Sequence, residues 1–285
     1  MKHIIVILLV VGLIAACNQK KAHPYASIKP IKIPILFNIK GNENLFASNI
    51  TFTPDGNELY FVTDSAGIEI IKSSCFLDKN WSDAKQTDFS GKYRIENPRI
   101  SPDGKRFFFC RPTNNYATCD IYVMDKTSGG WSNPKPIDSI INNHSFNMSP
   151  TCDQKGNLFF CSNRNGGWKA FCSKYENGTY TEPVPLDTSI NKYSVFELFI
   201  APDESYLLFG WYVSENNWRD IYISFKLNNT WSTALSLGNK INSNEYEGRP
   251  CISPDGNYLF YSKGMPTKIY QVEWKPLLDS LKRSL

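Results

Sequence analysis

The phrase Ile252-Ser253-Pro254-Asp255-Gly256, followed by the aromatic run Tyr258 to Tyr261, constrains this chain of 285 residues more than any other stretch, because it returns along the sequence. It recurs as Phe52-Thr53-Pro54-Asp55-Gly56, Ile100-Ser101-Pro102-Asp103-Gly104, Ser149-Pro150-Thr151 and Ile200-Ala201-Pro202-Asp203. Counted from the prolines at 54, 102, 150, 202 and 254, the intervals are 48, 48, 52 and 52 residues. A second landmark, Trp81, Trp131, Tyr180 and Trp231, keeps nearly the same period. Two landmarks with one period identify a repeat architecture, in which each unit buries its apolar faces only against its neighbours.

Within a period the turn places proline where its φ is preset and glycine at the fourth position, as a type I turn prefers. Short aromatic strands follow: Leu59 to Val62, Phe107 to Phe109, Leu158 to Phe160, Leu207 to Phe209 and Leu259 to Tyr261. A third strand comes next (Ile121-Tyr122-Val123 and Ile221-Tyr222-Ile223 are examples), then a polar turn, the tryptophan and an outer strand. An irregular segment with Ile-Asn (Ile141-Asn142, Ile190-Asn191, Ile241-Asn242) returns to the next inner strand. Four antiparallel strands per unit of about fifty residues is a propeller blade, so the expected fold is all-β, a five-bladed β-propeller. The last unit stops after its third strand, whereas the first begins with an orphan strand, Pro34 to Phe37. That N-terminal strand is expected to complete the last blade and remove the exposed edges.

The expected organisation is a signal peptide over 1–16, a lipidated cysteine and tether over 17–31, the propeller over 32–275 and a C-terminal tail over 276–285. Met1-Lys2-His3 is basic, and the apolar run Ile4 to Ala16 is too short to span a bilayer. Its end, Leu13-Ile14-Ala15-Ala16-Cys17, resembles a bacterial lipobox, which implies acylation of Cys17 and a protein anchored to a membrane of the cell envelope, the outer membrane being expected, without crossing it. Thirty-one basic and 27 acidic residues are spread along the chain, so no basic footprint for nucleic acid exists. Setting aside Cys17, seven cysteines remain, an odd number. Cys110 ends a second strand and Cys119 precedes a third, which makes them a candidate disulfide across the hairpin.

The Ile-Ser-Pro-Asp-Gly phrase, with Asp120-Ile121-Tyr122-Val123 and Gly130-Trp131-Ser132-Asn133-Pro134, resembles the WD40-like PD40 repeat family, which includes the propeller of TolB and many envelope lipoproteins. The resemblance covers roughly residues 32 to 275; a TolB-like protein would carry a further domain where this sequence has only a tether, so a free-standing propeller is expected. It specifies an architecture and leaves the activity open.

With the Pro-Asp-Gly turns on one face, function is expected on the opposite loop face near the axis. Candidate ligand-binding residues there are Glu96, Arg99, Arg111, His144, Arg164, Glu197, Trp211, Glu247 and Arg249. His144 is the single histidine of the propeller region, which excludes a multi-histidine metal site; no Gly-x-Ser-x-Gly or Gly-x-Gly-x-x-Gly occurs, and no cofactor is called for. Two readings stand: a non-catalytic propeller that binds a partner protein or glycan, or a glycan-active enzyme using Glu96, Glu197 or Glu247 as paired carboxyl groups.

Overall fold

A computed structural model describes Tyr25 and residues 30–285, except 44, 92, 114, 115 and 213–218. Cys17 and the leader, His3, His23 and Trp218 lie outside the described residues. The chain folds into five antiparallel blades around one axis. Their inner strands are Ser48–Phe52, Glu96–Ile100, Asn147–Cys152, Val195–Ile200 and Glu247–Ile252 in blades 1 to 5. The second strands are Glu58–Ser65, Arg106–Pro112, Leu158–Ser162, Tyr206–Tyr212 and Tyr258–Lys263. The third strands are Ile68–Leu77, Cys119–Thr127, Lys169–Ser173, Arg219–Leu227 and Lys268–Glu273. In blades 1, 2 and 4 the outer edge consists of two short pieces, for instance Gly130–Trp131 and Lys135–Pro136, both paired with the third strand. Ile35–Leu36 pairs with Lys268–Glu273, so the N-terminal strand closes the last blade as its sequence position implies.

The aromatic runs follow from the stacking of blades, because a strand buried on both faces has no polar alternate positions. Phe107 and Phe109 pack toward blade 1, whereas Phe108 between them packs toward blade 3, all three being buried. Each such ring contributes roughly 2–3 kcal/mol by leaving water. The tryptophan series joins blades as well: Trp131 Nε1 donates to the Tyr60 hydroxyl of blade 1 (2.9 Å). Trp274 Nε1 likewise donates to Tyr206 of blade 4 (3.0 Å). In the Ile-Asn segments the asparagine amide imitates a backbone strand. Asn242 Oδ1 accepts from the Ile221 N–H and Asn242 Nδ2 donates to the Ile221 carbonyl, both at 2.9 Å, and Asn142 and Asn191 repeat this on Ile121 and Ala170.

Two sequence expectations change. In blade 3 the turn between inner and second strands is Asp153 to Gly156, with the Gly156 N–H donating to the Asp153 carbonyl (3.1 Å). Pro150 therefore lies inside the inner strand, at the level of Pro98 and Pro250, and does not belong to the turn series. The domain also begins earlier than Lys32. Ile31 is buried and its carbonyl accepts from the Glu273 N–H (3.0 Å). Tyr25 is seated against Phe52, Tyr258 and Phe260. The C-terminal tail forms a helix, Lys275–Lys282, whose Leu277, Leu278 and Leu281 lean on the seam of the ring.

Candidate functional site at the propeller axis

Every inner strand carries a bulge, and at each bulge one residue has positive φ: Asn49 (51°), Asn97 (52°), Ser149 (55°), Glu197 (60°) and Arg249 (54°). None is glycine. Asparagine tolerates this left-handed conformation, but for glutamate and arginine it costs on the order of 1 kcal/mol or more, which the surrounding structure must hold in place. These five residues meet at the axis and leave a space of only about 10 Å³ between them. The ring is linked from blade to blade. Asn97 Nδ2 donates to Asn49 Oδ1 (3.2 Å), the Glu197 N–H donates to Ser149 Oγ (3.2 Å), and the Arg249 N–H donates to Glu197 Oε2 (3.2 Å).

Glu197 is the one acid of the ring and it is buried, 5% exposed. Its carboxylate forms a short ion pair with Arg219, lies 3.6 Å from Arg249 Nε and accepts from the Tyr246 hydroxyl at 2.7 Å. Burial alone would lower the Arg219 pKa, but Glu197 overrides burial and raises it. A carboxylate that accepts from Arg219, the Tyr246 hydroxyl and the Arg249 N–H, with a second guanidinium beside it, is engaged by its own neighbours and poorly placed for general-base work.

The sequence candidates do not converge on one point. Glu96, Glu197 and Glu247 stand at three different levels of their strands, since Glu96 pairs with Cys110 just before its bulge, Glu247 pairs with Lys263 a residue further out, and Glu197 is itself the bulge. Glu247 is fully buried, accepting from the Ser243 N–H (2.9 Å) and lying 3.2 Å from Lys263 Nζ, so it braces the loop beside blade 5. Glu96 is held by Arg94 (2.7 Å), which also reaches Glu69 (2.9 Å). Trp211 is buried and donates to the Ile190 carbonyl (2.9 Å). Arg164 bonds Ile141 O, Asn147 and Ser162 as an internal clamp. Arg111 stacks on Tyr93, 3.2 Å from the ring centroid, in a lateral groove between blades 1 and 2. His144 is an exposed loop residue at positive φ.

Cys110 and Cys119 are both free thiols, both buried. The hairpin register sets Cys110 opposite Ile121 and Cys119 opposite Pro112, so the two cysteines are diagonal neighbours and not directly opposed as their sequence positions suggest. Burial first, then each other's proximity, push the Cys110 thiol up.

The large opening near the axis is not on the loop face. It is a funnel of about 610 Å³ on the turn face, walled by the second position of all five turns, Pro54, Pro102, Gln154, Pro202 and Pro254. Arg99 and Phe199 lie at its floor, just below the bulge ring, and Lys275, Leu278 and Lys282 of the helix form part of its rim. Sequence reasoning placed Arg99 and Arg219 near the axis but missed the funnel, Glu69 and Tyr246. The signal available for the last was Tyr246 three residues before Arg249, a pairing specific to blade 5. Among the described residues no cluster of metal-ligating side chains occurs, and no helix is long and apolar enough to cross a membrane.

No family profile and no curated protein matches the sequence. Solved structures share the fold. TolB from Acinetobacter baumannii superposes with a TM-score of 0.52 at 15% identity, over 79% of this chain and 54% of that one, so this chain spans about half of that TolB. The endo-arabinase from Bacteroides thetaiotaomicron VPI-5482 gives 0.55 at 14% identity, over 86% and 97%. The catalytic domain of the Coprinopsis cinerea GH62 α-L-arabinofuranosidase gives 0.55 at 12%, over 87% and 96%. At these identities the likeness shows the propeller fold alone, which TolB and glycoside hydrolases hold in common.

Proposed function

We propose that the protein is a lipid-anchored β-propeller of the bacterial envelope that binds a partner protein or glycan near its axis and catalyses no reaction. The observation that carries the non-catalytic part is the state of the three glutamates. Glycoside hydrolysis needs two carboxyl groups roughly 5–9.5 Å apart, facing each other across a sugar. Here Glu197 is saturated by Arg219, Arg249 and Tyr246, Glu247 is sealed, and the axial space beside Glu197 is about 10 Å³, too small for a sugar ring. The anchor rests on the sequence Leu13-Ile14-Ala15-Ala16-Cys17.

Three measurements test this. Wild-type protein incubated with arabinan and aryl arabinofuranosides is expected to release no product; turnover by the wild type would establish the enzyme reading instead. Mild crosslinking in solubilised envelopes is expected to recover a recurrent partner or bound glycan. For the anchor, Cys17→Ala is expected to abolish acyl labelling and release the protein from membranes, and unchanged fractionation would refute it.

A further inference from the structure

We infer that the funnel on the turn face takes the C-terminal end of an apolar peptide from a partner protein, with the terminal carboxylate directed at Arg99. This rests on the binding reading and names the ligand chemistry and the face.

The argument starts with the floor. Arg99, the last residue but one of its inner strand, lines both the small axial space of the bulge ring and the funnel. One nitrogen, Nη2, donates to the Pro250 carbonyl (3.1 Å), and the plane lies over Phe199, 5.2 Å from its centroid. Nε and Nη1 are buried and have no hydrogen-bond partner. The thiol beside them, Cys251, is a weak acceptor. Buried charged donors without acceptors are costly, and a guanidinium matches a carboxylate or a phosphate, of which the apolar walls favour the carboxylate of a peptide.

The walls decide the rest of the ligand. Five hydroxyls line the funnel, and each is already engaged in building the blades, that of Tyr206 by accepting from Trp274 Nε1 (3.0 Å). Thr51 Oγ1 accepts from the Ile100 N–H (3.1 Å), and Ser101 and Ser253 donate to Asp103 (2.6 Å) and Asp255 (2.5 Å). Ser205 is bonded to Asp203. A sugar, which needs a polar partner for nearly every hydroxyl, finds few there. What remains is four proline rings, Phe199, Tyr206, Trp274 and Leu278, an apolar lining suited to short side chains. The rim adds Lys275 and Lys282, both exposed and, among the described residues, in no ion pair, whereas the acids of the wall, Asp203 and Asp255, are occupied by their own turns. With Arg99, Lys275 and Lys282 set against Asp203 and Asp255, the charged groups lining the funnel are positive by one. A volume of about 610 Å³ lies in the range of small-ligand pockets and holds a few residues of chain.

The probe is a library of N-acetylated apolar tetrapeptides with free C-termini, set against the same library amidated and against oligogalacturonate. Wild-type protein is expected to retain the free-acid library, with a Kd at least tenfold below that for the amidated one, and little oligogalacturonate. Arg99→Gln is expected to lose the preference for the free acid, and Arg99→Lys to keep part of it. Because Arg99 is structural as well, Lys275→Glu with Lys282→Glu on the exposed rim serves as a second variant, expected to weaken free-acid binding severalfold while leaving the melting temperature unchanged. Equal binding of acid and amide, preferential retention of oligogalacturonate, or an Arg99→Gln variant that binds as wild type would each overturn the inference. If neither library binds while envelope crosslinking still recovers a partner, the inference fails and the binding reading survives.

Discussion

Gly248 owes its identity to Glu197. A Cβ at position 248 would run into Glu197 Oε2 and stand 2.6 Å from the Tyr246 hydroxyl, so the carboxylate crosses from blade 4 to its blade 5 partners over a gap that only a hydrogen side chain leaves. The residue after it, Arg249, donates its N–H to the same carboxylate. Gly248→Ala is expected to destabilise the fold by about 2–3 kcal/mol, the usual scale of overpacking a tight interior, measured by urea unfolding. Wild-type stability in this variant would show that the Glu197 side chain has another place to go.

The second expectation concerns Glu197 itself. Glu197→Gln leaves Arg219 and Arg249 facing each other without their common anion, both mostly buried. Removing one member of a buried ionic cluster costs roughly 3–5 kcal/mol. Pairing Glu197→Gln with Arg219→Met is expected to restore part of that loss, and a double-mutant cycle with no coupling would remove Glu197 from the axial lock.

A pH effect follows from the pair on the loop face. Burial first, then the adjacent Glu96, push the Glu69 carboxyl up to about 7, against the opposing pull of Arg94 and Arg249. In the unfolded chain it titrates near the ordinary value of about 4.3. The folded state thus binds more protons between these values, so this group's contribution to stability is full below the lower one and is lost as the pH rises through the upper. The melting temperature of wild type relative to Glu69→Gln is expected to fall between about pH 4 and pH 7, the interval those two values bracket. Parallel profiles would assign the titration elsewhere.

Among the seven described thiols, Cys110 and Cys119 are the pair in mutual reach, and both are shut from solvent. Treatment of the folded protein with diamide, which takes up the two electrons and two protons, is expected to join these two and no others. Peptide mapping of oxidised protein is expected to find a single bridge, absent in Cys110→Ser. A bridge involving Cys75 or Cys172, the half-exposed thiols, would contradict it.

What the sequence made legible was what each blade must repeat. The Pro-Asp-Gly turns, the aromatic second strands and the strand Pro34 to Phe37 carry local chemistry that reads directly as structure, and blades and closure followed. The bulge ring is different. Positive φ is advertised by glycine, and here it falls on Asn49, Asn97, Ser149, Glu197 and Arg249, whose conformation is imposed by cross-blade bonds rather than by local preference. Those residues stand at intervals of 48, 52, 48 and 52, a rhythm that the proline count obscured because Pro150 belongs with Pro98 and Pro250. Glu96, Glu197 and Glu247 looked alike as acids opening inner strands; one residue of register separates each from the next, and in a strand one residue changes the side a group faces.

Tyr25 carries a mechanical consequence. Its ring sits in the blade 5 to blade 1 seam, with Phe52 on one side and Tyr258 and Phe260 on the other, and a Cβ on Gly56 would touch it at 3.0 Å. The two-residue pairing of Ile35–Leu36 with blade 5 is the short ladder that keeps the ring shut. Tension arriving along the N-terminal chain therefore loads the tyrosine before it can peel that ladder, so the latch of the propeller is shielded from pulling by a plug of a single aromatic ring.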